Sequence, residues 1–288
     1  MQLKYRNAKG DELDLLNNQS YFVLIGADNL HGVDISYSES DSPYIDGTTV
    51  DNARAMPRGI LLTFQLVGDV QAGLDRFLGV VKSKQKGTLY ETDENGREIV
   101  INGISKVPPY TRVSAACQIQ LELYCGQPYW EDVETIIAEI KAAIDLLYFP
   151  KDGRPFPVVG VPFGAIDTSP ERTLNNDGDA PVGLVISVIA TAATRKPRIS
   201  CSTGTQNGWY MEVDVSLAAN DELVISTVRG NKYIRLNGSP YVGTTPLLKL
   251  LKVVGDDWLQ LEQGFNTFNI SASDGGVYFN LSYKRRYE

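Results

Sequence analysis

A chain of 288 residues has room for two ordinary domains, each with its own core. Apolar residues make up 43% and charged residues 22%, close to globular averages, so intrinsic disorder is set aside. The net charge of −8 disfavours a nucleic-acid binder, which needs a cationic face to displace counterions from phosphates. The short Lys284-Arg285-Arg286 run reads as a solvated chain end and does not reverse that balance.

The opening Met1-Gln2-Leu3-Lys4-Tyr5-Arg6 holds no apolar segment, so no secretory signal is expected, and no run is long enough to span a membrane as a helix. Cys117 and Cys125 lie in one expected strand, roughly 26 Å apart at about 3.3 Å per residue, too far to bridge. With Cys201 they are expected to be three free, buried thiols in a reducing compartment.

Taken in order, Met1–Arg6 and Glu12–Leu16 predict a hairpin turning at Asn7-Ala8-Lys9-Gly10, and Tyr21–Ile25 a buried strand. Val33–Ser38 alternates as a half-exposed strand. From Glu39 to Pro57 the pattern fails and a long exposed loop is expected, with Thr48–Val50 its strand-like piece. Ile60–Val67 is a nearly continuous apolar run, the mark of a buried strand. Asp69 then offers an N-cap, and Val70, Leu74, Phe77, Leu78 and Val81 recur at the spacing of one helix face. The helix is expected over 70–84, with Lys82, Lys84 and Lys86 at its negative end and Gly87 as its stop. Thr88–Thr92 and Arg97–Ile101 form a hairpin around Asn95-Gly96. Pro108-Pro109 interrupts, and Val113–Tyr124 is a long strand.

After Pro128-Tyr129-Trp130, Val133, Ile136, Ile137, Ile140, Ile144 and Leu147 fall at helical spacing, with Asp132 as N-cap, which predicts an amphipathic connector helix. Beyond Pro150 short alternating runs (Arg172–Leu174, Val182–Ala190, Arg198–Ser202, Trp209–Val215, Glu222–Ser226, Tyr233–Leu236, Leu259–Leu261, Phe265–Ala272 and Val277–Lys284) alternate with turn signals, the pattern of a β-sandwich. A short helix is entertained within Thr245–Val254. The domains expected are 1–127, a helix-bearing β unit; 128–157, connector helix and linker; and 158–288, the sandwich. The fold class is mainly β, with α+β character in the first half.

Chemistry is scarce in the pattern. His31 is the single histidine, beside Gly32 at a strand mouth with no nucleophile motif near it, so it reads as a turn histidine and no catalytic residue is assigned. No clustered Cys and His suggest zinc, and no phosphate-cradling glycine loop is visible. Asn175-Asn176-Asp177-Gly178-Asp179 gathers oxygen ligands, but its glycine falls out of register for a calcium loop, and a tight turn is the better reading. No cofactor and no metal site are expected. Trp209, Tyr241 and Trp258 are the candidate contacts for carbohydrate, although a tryptophan inside an alternating strand such as Trp209–Val215 more often belongs to a core.

The order of these features resembles the distal tail proteins of tailed phages. The likeness rests on the Tyr21–Ile25 strand, the long stretch to Pro57, Arg58-Gly59-Ile60 leading into the Val70–Val81 helix, the Asn95-Gly96 hairpin and Gln127-Pro128-Tyr129-Trp130. In the second half it rests on Asn175–Pro181 before a strand, Gly264-Phe265-Asn266 and Gly275-Gly276. The resemblance implies an N-terminal β-barrel-like domain that forms a hexameric ring, and a C-terminal galectin-like sandwich. It also implies partners: the tail tube protein, the tape measure protein, a tail-associated hub or lysin, and a receptor-binding protein. No nucleic acid and no membrane partner follow from it. The expected location is the virion tail tip, after assembly in the bacterial host cytoplasm. The His-x-Asn-x-Arg and Trp-Gly-x-Glu-x-Arg motifs of sugar-binding galectins are missing, since the second half has no histidine and Tyr210 follows Trp209. The competing reading is a cell-wall carbohydrate-binding module.

Overall fold

A computed structural model describes residues 2–16, 21–41, 44, 46–94, 96–110, 112–113, 116–141, 143–145, 164–166, 170–273 and 276–288. The chain divides into two compact units. Unit 1 comprises Met1–Val133 and Arg286–Glu288, and unit 2 comprises Glu134–Arg285.

Unit 1 is built from β1 (Gln2–Asn7), β2 (Glu12–Asp14), β3 (Phe22–Asp28), β4 (Ile35–Asp41), β5 (Thr48–Ala55), β6 (Arg58–Leu66), α1 (Val70–Val80), β7 (Gln85–Thr92), β8 (Glu98–Lys106), β9 (Arg112–Val113), β10 (Ala116–Cys125) and β11 (Trp130–Asp132). Its main sheet runs β2-β1-β7-β8-β10-β6-β3, with β9 on β10 and β11 on β8. The apolar run at β6 alternates in the structure: Ile60, Leu62, Phe64 and Leu66 enter the core, while Leu61, Thr63 and Gln65 stay half-buried. Cys117, Ile119, Leu121, Leu123 and Cys125 on β10 join the same core face. The helix closes that face with Val70, Gly73, Leu74 and Phe77, and the ring of Phe22 meets those of Phe64 and Phe77 edge-on while Phe64 and Phe77 are tilted, all at 5.9–6.3 Å between centroids.

The helix begins where the sequence says. The Asp69 carboxylate accepts from the backbone N–H of Gln71 at 3.0 Å and of Ala72 at 3.1 Å. It stops earlier than expected, at Val80, because Val81 is already extended and Lys84 takes a positive φ of 67°. The lysines therefore lie past the last turn, although Lys82 still donates back to the carbonyl of Leu78.

Two further expectations in unit 1 are corrected. The strand after Tyr21 runs from Phe22 to Asp28 at the end of the sheet, with Val23 47% and Ile25 51% exposed, so it is an edge strand and not a buried one. The stretch from Glu39 to Pro57 is largely a hairpin of β4 and β5. The Asn95 half of the later hairpin turn lies outside the described residues, but Gly96 has the positive φ of 81° that such a turn requires.

Unit 2 is a β-sandwich. One five-stranded sheet runs Ile136–Lys141, Val277–Tyr283, Val185–Ala190, Glu222–Ser226, Tyr233–Leu236; the other runs Glu171–Asn176, Gly264–Ser271, Arg198–Cys201, Tyr210–Val213, Leu251–Val254. Alternate residues from both sheets share one core, among them Ile186, Val188, Leu223, Phe268, Ile270, Phe279 and Leu281. The turn at Asn176 forms as read: its amide donates to the Ala180 carbonyl and its Oδ1 accepts from the Gly178 N–H. In place of the short helix considered for Thr245–Val254 there is a 3-10 turn at Leu247–Lys249 followed by a strand.

The connector helix is overturned. Ile136–Lys141 is a strand paired antiparallel to Val277–Tyr283, with Ala138 and Ile140 buried and Ile137 68% exposed. Val133, Thr135, Ile136, Ile137 and Ile140 are β-branched and stiff, and a partner strand some 140 positions further along supplies the ladder that the periodicity could not foresee. Residues 146–163, where the connector was expected to end and the linker to run, lie outside the described residues.

Candidate assembly surface

The β4–β5 hairpin stands apart from every sheet among the described residues. The Met56 N–H donates to the Asp34 carbonyl at 2.8 Å and closes its base. Cross-strand pairing sets Ile35 against Ala55 and Tyr37 against Ala53, and past a register shift Glu39 against Val50. That row is mostly apolar; the opposite row carries Ser36, Ser38, Asn52 and Arg54. Yet Tyr37 is 58% and Val50 54% exposed, and Tyr44 at the tip is 94% exposed. A two-stranded hairpin is marginal by itself in water, and among the described residues the apolar row of this one stays exposed. Residues 34–55 also carry five acids against one arginine. Among the described residues β3, with Val23 and Ile25 exposed, has a strand partner on one side only.

A buried polar cluster sits under the turn at Leu30–His31. The Leu30 carbonyl accepts from Arg58 Nη1 at 2.9 Å and from Trp130 Nε1 at 3.0 Å. The His31 ring stacks on Trp130 with centroids 6.2 Å apart, and its Nε2 lies 3.3 Å from Glu91 Oε2. That contact is not aligned as a hydrogen bond, and burial outweighs it, so the Glu91 carboxyl titrates above its ordinary 4.5. Among the described residues Arg58 Nε and Nη2 have no hydrogen-bond partner, and burial lowers the group's affinity for its proton. No nucleophile adjoins His31 in this set, and the cluster holds the turn rather than forming a reaction centre. Burial likewise pushes the Cys125 thiol up to about 11, and Cys117, Cys125 and Cys201 are all free and buried. Among the described residues no group of three or more His, Cys, Asp and Glu is placed to hold a metal ion, and no helix is long and apolar enough to cross a membrane.

The three aromatic residues singled out from the sequence have separate neighbours. Trp209 packs partly buried on the sandwich core, against Gly255, whose φ of 133° and lack of a side chain let the indole in: a Cβ there would lie 2.3 Å from the ring. Trp258 also rests on the core and is approached by Lys232 Nζ at 5.5 Å from its ring. Tyr241 is half-exposed on a short strand opposite Pro246. No ring contact joins the three among the described residues. Sequence reasoning passed over Tyr210, whose ring carries Arg198 at 3.6 Å and Lys252 at 5.4 Å and is thus already covered by cations.

Residues 177–287 match the family described as siphovirus-type tail component, C-terminal domain. The crystal structure of SPP1 Dit (gp 19.1), described as a paradigm of the hub adsorption apparatus in Gram-positive infecting phages, is similar with a TM-score of 0.63 and 12% identity, covering 98% of each chain. The baseplate of phage P2 in its activated conformation with calcium is similar with a TM-score of 0.44 and 11% identity, covering 99% of this chain and 97% of that one. Its strontium form gives 0.45 and 10%, covering 98% and 97%. No curated protein sequence matches the chain. At such low identity the SPP1 Dit likeness speaks for the fold, which it shares from end to end. The resemblance to distal tail proteins therefore has the family match behind it over residues 177–287 and a common mainly β fold behind it elsewhere.

Proposed function

We propose that the chain is a structural subunit of a phage or prophage tail tip. Unit 1 closes a ring, of six copies as the distal-tail resemblance implies, that joins the tail tube to the tip hub and host-adsorption apparatus. Its neighbours in that reading are the tail tube protein, the tape measure protein, the hub or lysin, and a receptor-binding protein docked by unit 2. The ring sits in the virion tail tip and is assembled in the host cytoplasm. The role is architectural and not enzymatic.

The tail-component match over residues 177–287 supports the tail assignment. Self-association is carried by one observation: the β4–β5 hairpin, whose apolar row is exposed among the described residues of its own unit. An edge strand free to pair, as β3 is, provides a second point of closure. The SPP1 Dit fold, from a protein described in terms of a hub adsorption apparatus, is in keeping with this role.

The test is the mass of the purified protein by light scattering or native mass spectrometry. A species of six chains of 31.7 kDa each is expected. Substituting Tyr37→Asp and Val50→Asp is expected to abolish it while leaving thermal unfolding unchanged, because both side chains are exposed in the single chain. A protein that stays monomeric at high concentration and also within virions refutes the reading.

A further inference from the structure

Unit 1 is discontinuous in sequence. The chain leaves it after Val133, builds the whole of unit 2, and returns at Arg286. The returning residues Arg286–Tyr287 add a strand to the free side of β11, pairing Tyr287 with Trp130 and Arg286 with Glu131. Arg286 was expected to be a solvated cation; it is 8% exposed. Its Nε donates to Glu131 Oε1 at 3.1 Å, and the Gln127 amide, with its oxygen turned to the guanidinium, accepts from Nη2 at 2.8 Å. Tyr287 is 6% exposed and belongs to the core of unit 1; its hydroxyl donates to Asp132 Oδ1 at 3.1 Å and the Arg97 guanidinium lies 4.2 Å over its ring.

The strand these residues cover is no margin of the unit. Trp130 on β11 is completely buried and holds the Leu30 carbonyl, which Arg58 also holds, so the return strand, Trp130 and the Leu30–His31 turn are consecutive members of one packed set. That turn leads directly into the β4–β5 hairpin. Without residues 286–287 the free side of β11 is unpaired, Glu131 and Asp132 lose their named partners, and the Tyr287 place in the core is empty.

We infer that Arg286–Tyr287 is a latch that completes the ring-forming unit, so that self-association waits until unit 2 has been made. The order follows from connectivity: a ribosome exposes residues 1–133 first, but cannot supply the latch before the 152 residues of Glu134–Arg285. Unit 1 in that interval is an incomplete fold carrying an amphipathic hairpin, and the late arrival of the latch leaves its β11 side unset, which guards against premature rings of chains that lack their outer domain. The inference rests on the self-association proposed above, and its test separates the two.

The experiment uses the full chain with Arg286→Ser and Tyr287→Ser together, compared with the parent and with Tyr287→Phe. Hydrogen exchange is followed peptide by peptide, and mass in solution alongside. In the double variant, amides of Trp130–Asp132 and of their β8 partners Ile99 and Val100 are expected to exchange about tenfold faster or more, those of Val185–Ala190 in unit 2 to be unchanged, and association to weaken about tenfold or more. Tyr287→Phe keeps the ring under Arg97 and is expected to stay within about twofold of the parent. Unchanged exchange at β11 overturns the latch, as does equal loosening of both units, or association at parental strength. If the parent itself does not associate in solution, the ring reading passes to the virion test above, and the exchange pattern alone decides whether the return strand locks unit 1.

Discussion

Gly87 on β7 provides a sharp test of how unit 1 is packed. It is paired on both sides, with Asn7 of β1 and Gly103 of β8, so its backbone is pinned in the middle of the sheet. A Cβ at this position would lie 2.3 Å from Tyr5 Oη, 2.4 Å from Cε2 and 2.6 Å from Cζ. Tyr5 has no exposed surface, so its ring must shift within a packed core to admit the methyl. Gly87→Ala would gain about 0.4–1 kcal/mol from a stiffer unfolded chain, but overpacking a buried ring costs about 1–3 kcal/mol and sometimes more. The clash involves three ring atoms and a fixed backbone, which places the cost at the upper end. A net loss of ~2 kcal/mol is expected, and with it a fall of ~8 °C in the melting temperature of a unit this size. Urea unfolding followed by exchange in unit 1 measures it. The cause is isolated by a double-mutant cycle: Tyr5→Leu should restore stability to the alanine variant with a coupling above ~1 kcal/mol. Tyr5→Phe should restore little, since Cε2 and Cζ remain. Parental stability in Gly87→Ala, or no coupling to Tyr5→Leu, refutes the argument.

Three other outcomes are expected. Asp69→Ala removes the acceptor of the Gln71 and Ala72 N–H groups and should cost unit 1 about 1 kcal/mol in denaturant titration, while Asp69→Ser should retain most of it. Glu91 titrates above 4.5 when folded because it is buried, so the folded chain binds this proton more tightly than the unfolded chain does. Its contribution to stability is thus full below about pH 4.5 and is lost as pH rises through the folded value. Glu91→Gln should flatten that part of the stability–pH profile, and a profile that overlays the parent's counts against the assignment. Trp209→Ala empties the indole site against Gly255 and should lower unit 2 stability by ~3 kcal/mol in urea unfolding; a variant that keeps its stability yet loses binding to cell-wall glycan would revive the carbohydrate reading.

Much of the strand layout was legible in the residues. Glu222–Ser226 and Tyr233–Leu236 occur with the limits read from the sequence, and Val277–Tyr283 and Gly264–Ser271 with ends shifted by a residue. Each alternates between a buried and a wetted side, and such a pattern is local. The Asp69 cap and the Phe77 face of α1 were legible for the same reason. The assembly surface was less so. Ile35 and Tyr37 alternate visibly, and Asp46-Gly47 marks a turn, but Ser, Asp and Asn dilute the second strand, and a hairpin with no buried side looks like a loop to any test that seeks burial. The return strand gave no signal, because Lys284-Arg285-Arg286 looks like solvated charge until Glu131 and Gln127 are set beside Arg286.

Side-chain period and turn chemistry within a dozen residues are enough to show that this protein is mainly β, that its first half carries a helix capped at Asp69, and that its second half is a sandwich. Tertiary structure alone decided the fate of Ile136–Lys141 and Arg286–Tyr287. Ile136–Lys141 has helical spacing, yet the hydrogen bonds offered by Val277–Tyr283 make it a strand. Arg286–Tyr287 looks like a solvated tail, yet β11 makes it part of the first unit's sheet. In both cases the partner lies well over a hundred residues away, and backbone pairing at that distance leaves no periodic trace in either segment.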